Sequence, residues 1–112
     1  MINYNNRTFR PVRNSDNGET SPETTFTYKQ AGNILTSSYR GGQIVEGHLM
    51  GLVKDDGSIE MKYHQVNKKG ALMSGEGIST PEVLADGKLR LHEKWKWTSG
   101  DYSSGSSILE EI

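Results

Sequence analysis

Three glycine-containing loops of similar sequence divide the second half of the chain into runs of alternating apolar and polar residues. They occupy residues 54–58 (KDDGS), 67–71 (NKKGA) and 84–88 (LADGK). Each fits a three-residue hairpin connection, in which a type I turn is followed by a glycine at positive φ, a conformation that glycine adopts without steric cost. The loops therefore predict four antiparallel strands with a fixed register.

This register places the odd-numbered residues of the four strands on one face. The predicted pairs on that face are Val53 with Ile59, Gly51 with Met61, Leu49 with Tyr63, Gly47 with Gln65, Tyr63 with Gly75, Met61 with Gly77, Val83 with Leu89, Ser79 with Glu93, Gly77 with Trp95 and Gly75 with Trp97. On the even-numbered face, Glu76 lies opposite both Lys62 and Lys96, and opposite charges across strands belong on a solvent face. One core therefore lies behind all four strands.

The first half of the chain gives weaker turn signals. A loop at Gln30-Ala31-Gly32 is predicted to form the same three-residue turn. A two-residue turn at Gly41-Gly42 then changes the inward-facing residues from even-numbered before the turn to odd-numbered after it. This register turns inward Phe26, Tyr28, Thr36, Ser38 and Val45, and it leaves Leu35 and Tyr39 outside with Met50.

The two ends of the chain supply the remaining strands. Residues 8–12 read as an edge strand because they contain Pro11, residues 103–111 read as the last strand, and residues 14–23 form a long polar loop. The predicted fold class is all-β, an antiparallel up-and-down meander of about eight strands that closes into a small lipocalin-like barrel. An open, curved sheet and a dimeric half-barrel are the alternatives.

Composition limits the partners. The 112 residues are enough for one domain, over residues 1–112, and 13 basic residues face 14 acidic ones, so we expect no nucleic-acid partner. There is no cysteine, no apolar run of membrane-spanning length and no motif that implies a cofactor or a metal. We expect no membrane partner, a cytoplasmic location, and a monomer or a homodimer.

Several segments resemble a family of short bacterial proteins. They are residues 7–12 (RTFRPV), 47–53 (GHLMGLV), 63–65 (YHQ), 91–101 (LHEKWKWTSGD) and 110–112 (EEI). Members of that family often carry the automatic label N-acetylglutamate synthase. The resemblance implies a lipocalin-like or calycin-like barrel without an established activity. The label itself implies acetyl transfer, which is typical of an α/β fold with a Q/R-x-x-G-x-G/A loop before a helix, and no segment here has that loop in that context.

Glu93 is the most informative side chain, because the register turns it inward between Leu91 and Trp95. A buried carboxylate is costly unless it is paired, and burial raises its pKa. It could bind a cationic or polar group of a ligand, or act as an acid or base. The structural alternative is a simple hydrogen bond to Ser79 or to the last strand.

Aromatic residues surround this position in the predicted interior. They form either a packed core or the wall of a ligand pocket with inward polar groups. The candidate ligand-binding residues are Glu93, Trp95, Trp97, Tyr63, Met61, Gln65, Tyr28, Thr36 and Ser38.

The histidines carry less weight. His48 and His64 face each other on the outward side, and His92 lies two strands away from His64, so no three-ligand metal set is predicted.

The leading hypothesis is a small-molecule binding barrel. An enzyme, either the labelled acetyltransferase or an acid/base catalyst at Glu93, and a protein-interaction module are the alternatives.

Overall fold

A computed structural model describes residues 2–112, which form eight antiparallel β-strands. The strands are β1 (Thr8–Asn14), β2 (Thr25–Ala31), β3 (Ile34–Gly41), β4 (Ile44–Val53), β5 (Ile59–Asn67), β6 (Leu72–Val83), β7 (Leu89–Trp97) and β8 (Ser104–Glu111). Each strand pairs with the next along the chain, and β8 pairs with β1. The predicted meander is therefore confirmed as a closed barrel, and the open sheet and the half-barrel are wrong.

The register of β4 to β7 is the predicted one. Leu49 pairs with Tyr63, Tyr63 with Gly75, and Ser79 with Glu93. The backbone amides of residues 57, 70 and 87 donate hydrogen bonds to the carbonyls of residues 54, 67 and 84, and all three glycines have positive φ. Most odd-numbered residues of these strands face the interior, with Val45 and Val83 as the exposed exceptions, and most of the charged even-numbered residues are exposed.

The hairpin between β2 and β3 differs from the prediction. Ala31 pairs with Ile34 across a two-residue turn, so that Tyr28 faces Ser37 and Phe26 faces Tyr39. Gly32 takes the first central position of that turn at φ 62°. Glycine is suited both to this position and to the last position of a three-residue loop, so the local sequence is compatible with both registers. The predicted three-residue loop is wrong.

This shift reverses the parity of β3. Leu35 and Tyr39 are buried, whereas the predicted inward residues Thr36 and Ser38 lie on the outer face, with Thr36 half-buried and Ser38 exposed. The turn between β3 and β4 also moves by one residue, because Gly41 pairs with Ile44 and the ladder is irregular after Tyr39.

Two further predictions in this part of the chain change as well. Val45 is 54% exposed and Ile44 is buried, because the ladder is irregular between Ile44 and Glu46. Strand β1 is not an edge, because it pairs with both β2 and β8. It tolerates Pro11 because its pairing with β2 stops at Phe9 and its ladder with β8 is irregular just after Pro11.

The barrel has two different ends. One end holds the loops at residues 32–33, 54–58 and 84–88, and the N-terminal segment closes it: Tyr4 is fully buried and its hydroxyl donates a hydrogen bond to the carbonyl of Gly57. The other end, called the mouth here, holds the loops at residues 15–24, 42–43, 68–71 and 98–103. Among residues 2–112, no helix has the length and apolar character needed to cross a membrane.

Candidate functional site

A cavity of about 50 Å³ lies inside the barrel on the side of the mouth. Seven of the nine candidate residues line it: Tyr28, Met61, Tyr63, Gln65, Glu93, Trp95 and Trp97. Thr36 and Ser38 do not, because β3 presents them to the outer surface. A water molecule needs roughly 10–15 Å³ of such volume, so a space of this size fits a few waters, and a larger ligand has to displace part of its wall.

Glu93 lies half-way along β7 and supplies a carboxylate to this cavity. The Ser79 hydroxyl of β6 donates a 2.5 Å hydrogen bond to its Oε2 atom. Within residues 2–112, Glu93 forms no ion pair, and the cavity wall contains no lysine, arginine or histidine. The side chain keeps some accessible surface because it borders the cavity, but the carboxylate is removed from bulk water. Burial therefore raises the pKa of Glu93 to about 7, against the smaller lowering effect of the Ser79 hydrogen bond.

Three aromatic rings form the wall beside Glu93. The indoles of Trp95 and Trp97 meet edge to face with centroids 5.5 Å apart, and Tyr63 meets Trp97 in the same way at 6.1 Å. The Tyr63 ring lies over the backbone of Gly75, where a Cβ atom would come within 2.5 Å of it. Glycine on the facing strand is thus what lets the Tyr63 ring lie flat against the wall.

Tyrosine hydroxyls add polar groups to the same interior. Burial raises the pKa values of Tyr28, Tyr39 and Tyr63 well above their usual range, and the nearby Glu93 charge raises each of them further. These phenols therefore stay neutral at physiological pH, and the hydroxyl of Tyr39 donates a hydrogen bond to Oε1 of Gln65. Tyr39 was predicted to face outward, so its place in this group is a correction that follows from the register of β3.

The loop at residues 15–24 covers the mouth, and we call it the lid. Its Glu19 side chain accepts hydrogen bonds from the amides of Gln65 (2.8 Å) and Asn67 (2.7 Å). The Trp97 indole donates a 3.0 Å hydrogen bond to the lid carbonyl of Asn17. Polar contacts therefore hold the lid against the barrel wall beside the cavity.

The profile of the family described as "Avidin-like protein" matches residues 2–112 of this sequence. The chain belongs to the avidin-like family. No curated protein sequence matches it. The family has a calycin-type barrel, which agrees with the fold described above and with the calycin-like resemblance, whereas nothing in the comparison carries the N-acetylglutamate synthase label.

A hydrogen-bonded chain links the wall of this avidin-like barrel to the start of its lid. The Trp95 indole donates to the Ser107 hydroxyl at 2.7 Å, and that hydroxyl donates to Oδ1 of Asn14, also at 2.7 Å. The Asn14 amide then donates to the carbonyl of Thr20 at 2.9 Å. These contacts hold the Trp95 ring in the cavity wall and link its position to the lid.

The mouth of the avidin-like barrel contains residues that the sequence did not point to. They are Asn14, Glu19, Tyr39, Asn67 and Ser107. Glu19 lies in a loop whose sequence has no strand periodicity, so its position could not be predicted. Asn14 and Ser107 lie on β1 and β8, and no turn joins these two strands to fix their register. The parity of β5 did place Asn67 on the face of Gln65, which was the one available signal.

The outward histidines stand apart from the cavity of the avidin-like barrel. Nε2 of His48 lies 2.9 Å from a carboxylate oxygen of Glu46, and the rings of His48 and His64 are 5.9 Å apart. Residues 2–112 contain no group of three His, Cys, Asp or Glu side chains arranged to hold a metal ion.

Proposed function

We propose that this protein binds a small molecule inside the barrel, with a cationic or hydrogen-bond-donating group of the ligand against Glu93. Barrels of the avidin-like family bind small ligands, which supports a binding role. The observation that carries the specific proposal is the isolation of Glu93: its carboxylate accepts one hydrogen bond, from Ser79, and borders a cavity whose wall contains no cation.

The chemistry of the wall favours a cation at this position. A carboxylate removed from water gains most from a partner that brings a positive charge or a strong donor, because the effective dielectric constant there is low. The rings of Tyr63, Trp95 and Trp97 line the same cavity, and an aromatic ring adds attraction for a cation that lies over its face. An alkylammonium or amidinium group with a short apolar part satisfies both requirements.

The size of the cavity sets the route of entry. A volume of about 50 Å³ is below the roughly 300–1,000 Å³ of pockets that hold drug-sized ligands. The lid is the part of the wall that belongs to no strand, so we propose that it moves when the ligand enters. Binding therefore couples to opening of the Glu19 and Asn17 contacts.

The test compares charged and neutral ligands of equal shape. Benzylammonium and benzyl alcohol are titrated at pH 8 while tryptophan fluorescence is followed, since both tryptophans line the cavity. We expect the ammonium compound to bind about tenfold more tightly, and Glu93→Gln to remove that preference. Glu76→Gln is the matched control, because Glu76 is exposed on the outer face of β6. Equal affinity of the wild-type protein for both compounds would refute a cation site at Glu93.

Acid/base catalysis is the second candidate, and the pKa of about 7 at Glu93 favours it, because such a carboxyl exchanges protons readily at neutral pH. The acetyl transfer implied by the label is one specific form of it. An assay with acetyl-CoA and glutamate tests that form directly, and a rate that does not change in Glu93→Gln would exclude a role for this residue.

A further inference from the structure

Two side-chain amides at the mouth converge on one carboxylate. Nε2 of Gln65 donates to Oε1 of Glu19 at 2.8 Å, and Nδ2 of Asn67 donates to Oε2 at 2.7 Å. Each carboxylate oxygen thus has its own donor, in a two-point arrangement. Hydrogen bonds to an ionised carboxylate are stronger than those between neutral groups, so this geometry is selective for a planar anion.

Both amides are held in place from their carbonyl side. The Tyr39 hydroxyl donates to Oε1 of Gln65 at 2.7 Å, while the backbone amides of Lys69 and Ala71 donate to Oδ1 of Asn67 at 3.0 and 3.1 Å. With the oxygens engaged in this way, the NH₂ groups must point toward Glu19. Gln65 is 2% exposed and Asn67 is 8% exposed, so the two donors are part of the rigid wall.

The carboxylate comes from a loop, whereas the two amides come from a strand. Glu19 belongs to the lid, outside any strand, and it is half-buried. Its side chain forms no ion pair among residues 2–112. The donors are therefore fixed in the wall, and the acceptor comes from the segment that has to move when a ligand enters.

We propose that the amides of Gln65 and Asn67 form a carboxylate subsite, which Glu19 occupies in the closed barrel and which takes the carboxylate of an entering ligand. This inference rests on the proposed function, which gives the ligand a cationic or hydrogen-bond-donating group at Glu93. It adds a carboxylate to the same ligand. Glu93 lies half-way along β7, whereas Gln65 and Asn67 lie at the mouth end of β5. The ligand class is then a small zwitterion with its cationic end at Glu93 and its carboxylate at the mouth.

Rescue by acetate tests the subsite without any knowledge of the ligand. Glu19→Ala removes the internal carboxylate, and we expect the melting temperature to fall because two buried amides lose their acceptor. Sodium acetate at about 0.2 M should then raise the melting temperature of Glu19→Ala by about 3 °C more than sodium chloride at the same concentration. Acetamide, which has the same shape without the charge, should be no better than chloride.

Two variants control for general salt effects. Glu23→Ala removes an exposed carboxylate from the same loop, and it and the wild-type protein should show no difference between acetate and chloride. In Glu19→Ala combined with Asn67→Asp, Oδ1 still accepts from the backbone of its loop, but the donor to the subsite is replaced by an oxygen. The acetate effect should disappear in this double variant.

The inference is overturned if acetate and chloride raise the melting temperature of Glu19→Ala equally, or if the acetate effect survives Asn67→Asp. Should Glu19→Ala fail to fold in chloride, the yield of refolded protein in acetate and in chloride gives the same comparison. Rescue by acetate should persist when Glu93→Gln is added. The ligand titration therefore tests the cation site at Glu93, and the acetate rescue tests the carboxylate subsite independently of it.

Discussion

Ser79 and Glu93 face each other across β6 and β7, and the serine hydroxyl donates a 2.5 Å hydrogen bond to the carboxylate. The sequence analysis gave this hydrogen bond as the structural alternative to a ligand-binding role for Glu93. It satisfies one oxygen of a carboxylate that otherwise borders the cavity. A single hydroxyl does not offset the burial of the charge, as the pKa of about 7 indicates. Glu93 is therefore a hydrogen-bonded part of the wall whose ionised form still lowers the stability of the fold.

The stability of the protein should fall as the pH rises through the titration of Glu93. Its folded-state pKa of about 7 lies above the ordinary value of 4.5, so the folded state binds the proton more tightly than the unfolded state does. The stabilisation is complete below pH 4.5 and is lost as the pH rises to about 7. The loss amounts to about 3 kcal/mol in the free energy of unfolding.

Urea unfolding of the wild-type protein and of Glu93→Gln at pH 4, 6 and 8 measures this effect. The glutamine variant keeps the shape without the charge, so it should lack this part of the pH dependence and be the more stable protein at pH 8. Glu76→Gln should follow the wild-type curve. Parallel curves for the wild-type protein and Glu93→Gln would show that Glu93 titrates normally.

Removing the Ser79 hydroxyl should raise the pKa of Glu93 further. The hydrogen bond from Ser79 favours the charged form and is the one contact that lowers this pKa, so Ser79→Ala leaves burial unopposed. The carboxyl carbon of Glu93, followed by nuclear magnetic resonance as a function of pH, should titrate above 7 in Ser79→Ala. Ser37→Ala, a buried serine on another strand, serves as the control. An unchanged or lower midpoint in Ser79→Ala would mean that the hydrogen bond does not stabilise the carboxylate.

A side chain at position 47 should collide with the ring of Tyr39. The two residues pair across β3 and β4, and a Cβ atom on Gly47 would lie 2.3 Å from a ring carbon of Tyr39. We expect Gly47→Ala to lower the free energy of unfolding by about 2 kcal/mol, which denaturant unfolding measures. In the Tyr39→Leu background the same change should cost clearly less, because a smaller side chain leaves room for the methyl group. Equal costs in both backgrounds would place the collision elsewhere.

The second half of the barrel was readable from sequence because each of its loops carried a glycine after a type I turn. Those loops fixed the parity of β4 to β7 and so brought Met61, Tyr63, Gln65, Glu93 and Trp95 to one interior face. Gly32 and Gly41-Gly42 were ambiguous, since glycine suits several positions in a turn, and a shift of one residue exchanges the two faces of a strand. The lid could not be placed at all, because its contacts join segments as distant as Glu19 and Gln65 through side chains.

The corrected parity of β3 can be tested at two adjacent serines. Ser37 is 5% exposed and faces the interior, whereas Ser38 lies on the outer face opposite His48. Ser38→Lys should change the free energy of unfolding by no more than about 0.5 kcal/mol, because the new charge stays in water.

Ser37→Lys should lower the free energy of unfolding by roughly 3 kcal/mol or more, since it places an ammonium group inside the barrel at a position where no acidic side chain pairs with it. Denaturant unfolding of both variants at pH 7 decides between the two registers. The reverse result, with Ser38→Lys the more damaging change, would restore the three-residue turn at residues 30–32 and return Thr36 and Ser38 to the cavity. The predicted outcome would instead leave Leu35, Ser37 and Tyr39 as the contribution of β3 to the interior, and with them the Tyr39 hydroxyl that orients Gln65 toward the lid.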